Sequence, residues 1–157
     1  MDRSNLALCA SAMRNVFLAV PFLFFAGCTG PAQTTDRDIT VIDIDQLSAR
    51  IEGREEWKKK SPTVIIDVRS VSEYNRGHIP RALSIPVAEL RANDPRLAEA
   101  HNLVVYGSGL MDYLSAAAFK KMISLGYQNV YDFRSGAWMW QRQGREMITF
   151  GAVGDLP

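Results

Sequence analysis

The chain has 157 residues, 47% of them hydrophobic and 22% charged, with a formal net charge of +1. That is the composition of one globular domain with short appendages, and the balanced charge excludes nucleic-acid binding by bulk electrostatics. Both cysteines, Cys9 and Cys28, lie near the amino terminus, which excludes a disulfide framework and a Cys-ligated zinc site in the body of the chain and leaves no thiol nucleophile after residue 28.

The chain opens on a targeting segment. Val16 to Phe25 is an apolar run of ten residues preceded by Arg14, half of the roughly 20 needed to span a bilayer. A short apolar run between a positive charge and small residues reads as a secretory signal over 1–27, with Met13 as an alternative start. Phe25-Ala26-Gly27-Cys28 resembles a bacterial lipobox, which implies acylation of Cys28 and attachment to a membrane surface. A plainly cleaved signal and an uncleaved anchor are the alternatives. Thr29 rather than Asp after the cysteine points to the outer membrane. Residues 28–38 are small and polar and form a tether.

The domain is expected over 39–145. Ile39 to Ile42 is a short strand, and Asp43 or Asp45 caps a helix carrying Leu47 and Ile51 that ends near Gly53. The charged run 55–60 reads as a solvated loop. Val64 to Ile66, ending at Asp67, is β-branched throughout and suits a central parallel strand. A helical turn stops at Gly77, and Ala82 to Ile85 is a strand closed by Pro86. Leu103 to Tyr106 is a second buried strand. After a loop, Leu114, Ala118, Met122 and Leu125 mark one face of a helix, with Lys120 and Lys121 on the other. Asn129 to Tyr131 is the last strand, and Ala137 to Gln141 the last helix. Residues 146–157 are a weakly ordered tail. Alternation at this spacing predicts an α/β fold: a mainly parallel sheet of about five strands with helices on both faces.

Several local signatures stand in a fixed order: Asp67-Val68-Arg69, Glu73-Tyr74, Gly77-His78-Ile79-Pro80, Ile85-Pro86, Gly126-Tyr127, and Gly136 with Trp138. Together they resemble a rhodanese-like domain across about Ile39 to Gly144. The resemblance implies a three-layer α/β sandwich and, in catalytic members, a cysteine directly after the strand that here ends at Tyr106. That cysteine carries sulfur as a persulfide, stabilised by loop amides and a helix amino terminus. Residue 107 is glycine. The loop Ser108, Gly109, Leu110, Met111, Asp112, Tyr113 holds no Arg or Lys, and Asp112 would repel a dianion. Its length is closer to the extended loops of related dual-specificity phosphatases, which also use the missing cysteine.

Ser108 could replace the thiol only with a base in reach, from His78, His101 or Asp112; Asp112 otherwise reads as a solvated or helix-capping residue. Two histidines without cysteines make no dedicated metal site, and no cofactor is implied. Arg69 ends a central strand, where ligands bind in open α/β sheets, or pairs with a carboxylate such as Glu73, while Asp67 satisfies neighbouring backbone amides. Phe133, Trp138 and Trp140 wall a pocket or, more simply, fill the core. Met111 and Tyr113 are exposed contacts on the loop. The expectation is a non-catalytic interaction module in the bacterial envelope. Its membrane contact would be a lipid on Cys28, and its partner an envelope protein or small ligand at the 107–115 loop. The alternative is a sulfurtransferase or phosphatase-like enzyme using another nucleophile or a partner's thiol.

Overall fold

The computed structural model describes residues 34–53 and 62–150. The expected signal segment, Cys28, the start of the expected tether, the charged run 55–60 and residues 151–157 lie outside these. Among the described residues no helix is long and apolar enough to cross a membrane.

Four parallel strands form the sheet: β1 (Thr63–Asp67), β2 (Ala82–Ser84), β3 (Asn102–Tyr106) and β4 (Val130–Asp132), in the order β2-β1-β3-β4. The helices are α1 (Ile44–Glu52), α2 (Val71–Arg76), α3 (Leu114–Ser124) and α4 (Gly136–Arg142). β1 and β3 are central, and their middle residues, Val64 to Ile66 and Leu103 to Val105, are apolar without alternation because each strand is covered on both faces. Successive residues point to opposite sides. Ile66 and Val105 pack with Ala118, Phe119 and Met122 of α3. Ile65 and Val104 pack with Leu47 of α1 and with Ala137 and Trp140 of α4. The expected α/β architecture is therefore present, with both faces of the sheet buried.

The expected fifth strand is not formed. Ile39 to Ile42 makes one parallel bridge, Val41 to Asp132. β4 is only three residues long, and Asp43 immediately turns the chain into α1 by accepting from the Gln46 N–H at 2.8 Å. Both lysines of α3 have partners. Lys121 Nζ donates to the Val87 carbonyl at 2.7 Å, and Lys120 pairs with Asp36 at 2.6 Å. The tail departs from expectation as well. His78 and Ile148 exchange backbone hydrogen bonds at 2.9 Å, and the Trp140 indole donates to the Glu146 carbonyl at 2.7 Å. Buried donors need partners, and here the segment after α4 supplies them.

Beneath the connection to β3, Arg96 grips Asp94 through two nitrogens at 3.0 and 2.7 Å. That hydrogen bonding holds the Asp94 carboxyl down at about 2. An unfolded Asp titrates near ~3.9, so the pair stabilises the fold above about pH 4 and its contribution disappears as pH falls toward 2. Asp94→Asn should lower Tm at pH 6 and have little effect at pH 2, which thermal melts across that range will check.

Candidate functional site

β3 delivers the chain to the carboxyl edge of the sheet, where Gly107 begins the loop and Leu114 begins α3. The loop's backbone is pinned from the side by α4. Ala137 N–H donates to the Gly107 carbonyl at 3.0 Å, and Trp138 N–H to the Ser108 carbonyl at 2.9 Å. Gly136 makes this approach possible. Its φ is +65°, and a Cβ there would stand 2.6 Å from both the Gly107 carbonyl oxygen and the Gly109 nitrogen. Asp112 N–H closes a turn onto the Gly109 carbonyl at 2.9 Å.

Asp112 stands one residue before Tyr113, the N-cap of α3, and its carboxylate serves two amides. Its Oδ1 accepts from Leu114 N–H at 2.8 Å, and its Oδ2 reaches back to accept from Ser108 N–H at 2.8 Å. The carboxylate thus bridges the two ends of the loop. It also fills the space next to Gly107, where an added Cβ would lie 2.8 Å from Asp112 Oδ2.

Arg69 is buried and turned away from this carboxylate. Its Nε and Nη2 hold Asp67 at 2.9 and 2.6 Å, and Nη2 also donates to the Gly77 carbonyl at 2.7 Å. The partner is Asp67 and not Glu73, because a two-residue separation at the strand end brings the two side chains side by side. Asp67 in turn satisfies a single backbone amide, that of Arg69, at 3.0 Å. It also accepts from the Tyr106 hydroxyl at 2.8 Å. Tyr106 is fully buried and accepts from Ile79 N–H at 3.1 Å. Burial first, and then the Asp67 charge, pushes its phenol well above the usual range. This network of five residues was not anticipated. A Tyr closing a buried apolar strand, which must find a hydroxyl partner, was the available signal.

Neither histidine reaches Ser108. His78 is buried, stacked on Tyr74 at 3.7 Å and bonded to its carbonyl. His101 precedes β3, at the opposite end of a five-residue strand, roughly 16 Å away. Glu73 is the carboxylate that meets Ser108 Oγ, at 3.4 Å. It is committed to capping α2, and the Ser70 hydroxyl that donates to it holds its carboxyl below the ordinary value. Ser108 therefore has no imidazole to activate it. Beside it lies an open cleft of about 290 Å³ lined by Arg69, Glu73, Ser108, Trp138, Gln141 and Met147. Phe133 and Trp140 are core, but Trp138 is 52% exposed on the cleft's rim, so it does not fill the core. Met111 and Tyr113 stand out from the loop, as expected.

Comparison with known proteins decides the family. Residues 44–143, from the start of α1 to just past α4, match the rhodanese-like domain. The chain belongs to the rhodanese-like domain family. It is 26% identical over 111 residues to a sulfurtransferase of Allochromatium vinosum, covering 70% of this chain and 95% of that one. It is 31% identical over 90 residues to a tRNA uridine(34) hydroxylase of Photorhabdus laumondii, where the match spans 54% of this chain but only 25% of the relative. The crystal structure of the BH2092 protein of Bacillus halodurans superimposes with a TM-score of 0.62 at 26% identity, covering 71% of this chain and 77% of that chain. In this rhodanese-like domain, then, the loop between β3 and α3 is closed on itself by its own acidic residue.

Proposed function

We propose that this chain is a non-catalytic rhodanese-like binding module, tethered in the bacterial cell envelope through a lipid on Cys28. The observation that carries the reading is the Asp112 carboxylate, bonded to Ser108 and Leu114 N–H at 2.8 Å each beside a glycine. In catalytic members of the family the residue after this strand is a cysteine, and loop amides stabilise its anionic sulfur. Here residue 107 carries no side chain, and a built-in anion takes up amides of the same loop. Either change alone would impair sulfur transfer; together they remove both the nucleophile and the vacancy for its charge.

The sulfurtransferase of Allochromatium vinosum keeps a second reading open, in which residual sulfur chemistry uses another nucleophile or a thiol supplied by a partner. The full chain with Cys28→Ala, assayed for sulfur transfer from thiosulfate to cyanide, separates the two. We expect turnover no greater than that of a buffer blank; turnover at rates typical of enzymes, about 1 per second or more, would sink the non-catalytic reading. In the same cells, metabolic labelling with a fatty acid should mark the wild-type chain and not the Cys28→Ala chain. Equal labelling of both would discard the tether.

A further inference from the structure

Leu110, Met111 and Tyr113 at the loop tip are 56%, 92% and 81% exposed, and Trp138 beside them is 52% exposed. They form one patch, since Trp138 N–H donates to the Ser108 carbonyl and a Cβ at Gly109 would lie 3.6 Å from that of Trp138. A contiguous exposed apolar patch marks a protein or membrane interaction site more often than singly exposed side chains do. Cations outnumber acids around this patch, with Arg76 and Arg142 against Glu73. Asp112, the loop's acid, is turned inward, its two oxygens on Ser108 and Leu114 N–H. Glu73 accepts from Ser70 through one oxygen and from Ser108 Oγ through the other. The Arg142 guanidinium sits 5.0 Å above the Trp138 ring, and Arg76 lines the same cleft as Trp138. The patch thus offers an apolar tip, a Tyr and a Trp with amphipathic rings, and a cationic rim. Tyr and Trp favour the headgroup level of a bilayer, and Arg favours anionic lipid.

We infer that the 110–113 tip with Trp138 is a membrane-docking surface that inserts shallowly into an anionic lipid leaflet. The inference rests on the tether reading. Asp36 is bonded to Lys120 on α3, six residues beyond the start of that helix, or about 9 Å along its axis. The described chain at Asp36 therefore lies on α3 nearly two helical turns from the loop. Residues 29–33 add at most about 18 Å of contour. A lipid on Cys28 would hold the tip within reach of the leaflet that carries it. A protein partner would also accept an apolar loop; the cationic rim and the short tether favour lipid.

The test uses the full lipid-modified chain carrying Trp57→Phe, reconstituted in vesicles of phosphatidylglycerol and phosphatidylcholine with bromine on the acyl chains near the headgroups. Trp138 is then the exposed indole, since Trp140 is buried. Bromine should quench its fluorescence, and Met111→Asp with Tyr113→Asp should abolish at least half of that quenching. Because both side chains project into solvent, these variants should melt at the wild-type temperature. Absence of quenching, or equal quenching in the double variant, would overturn the inference. So would photocrosslinks from position 111 that land in protein and not in lipid. Fatty-acid labelling of the same preparation keeps the two readings apart. A labelled but unquenched chain removes the docking surface and leaves the tether; an unlabelled but quenched chain does the reverse.

Discussion

Gly107→Cys alone should yield a poorly reactive thiol, and Gly107→Cys combined with Asp112→Ser a reactive one. The reason lies in the space beside Gly107. A Cβ there meets Asp112 Oδ2 at 2.8 Å and Leu114 Cβ at 3.5 Å. The carboxylate can rotate aside, but only by giving up Ser108 and Leu114 N–H. It would also remain close to the new sulfur, and a neighbouring negative charge raises a thiol pKa above its ordinary ~8.5. Replacing Asp112 removes that repulsion and frees two amides to face a thiolate at the amino terminus of α3. A relief of about one pKa unit gives roughly ten-fold more thiolate at pH 7. The pH dependence of alkylation by iodoacetamide measures this directly. With thiosulfate, the thiolate of the double variant should attack the outer sulfur and expel sulfite, and mass spectrometry should show the chain heavier by one sulfur atom. If the single variant reacts as fast as the double, Asp112 is not what closes the loop.

Asp67→Ala should cost the fold about 3–5 kcal/mol, the usual penalty for removing one partner of a buried ion pair. For a domain of this size, that is a fall in Tm on the order of 15 °C. The carboxylate answers three groups at once: Arg69 Nη2 at 2.6 Å, Arg69 N–H at 3.0 Å and the Tyr106 hydroxyl at 2.8 Å. Its loss strands a guanidinium that is only 8% exposed and a phenol that is not exposed at all. Asp67→Ala with Arg69→Met should recover a substantial part of the loss, because the uncompensated charge is then gone as well. Denaturant melts of the two single variants and the double close the cycle, and additive losses would show that Asp67 acts independently of Arg69. Stability is the readout, because the pair is buried and bonded to backbone and side chains of the fold.

Both expectations turn on carboxylates whose roles the sequence left open. Asp112 was legible as a capping residue, because an acid shortly before an apolar helix commonly accepts an early N–H. Its reach back to Ser108 was not legible, since that depends on how tightly α4 pins the loop through Gly136. Glu73 was one example of a carboxylate that could pair with Arg69. Yet Arg69 precedes α2, which starts at Val71, and Asp67 lies closer across the end of β1. Trp138 looked like core by residue type. Trp140, two positions on, occupies the inward face of that short helix and leaves Trp138 on the rim.

The order of strands and helices, the family, and the want of a thiol after Cys28 were determined by sequence alone. Those features follow from local periodicity, from composition and from short ordered motifs, none of which needs a partner distant in the chain. Tertiary structure decided the rest. It reduced Ile39 to Ile42 to a single bridge, because β4 is too short to extend a ladder. It drew residues up to 150 back onto α2 and His78, because those groups had hydrogen bonds to complete. It turned Asp112 inward, because two loop amides were otherwise unmet. Polar pairing depends on which groups the packed elements bring within 3 Å of one another, and spacing along the chain does not contain that distance.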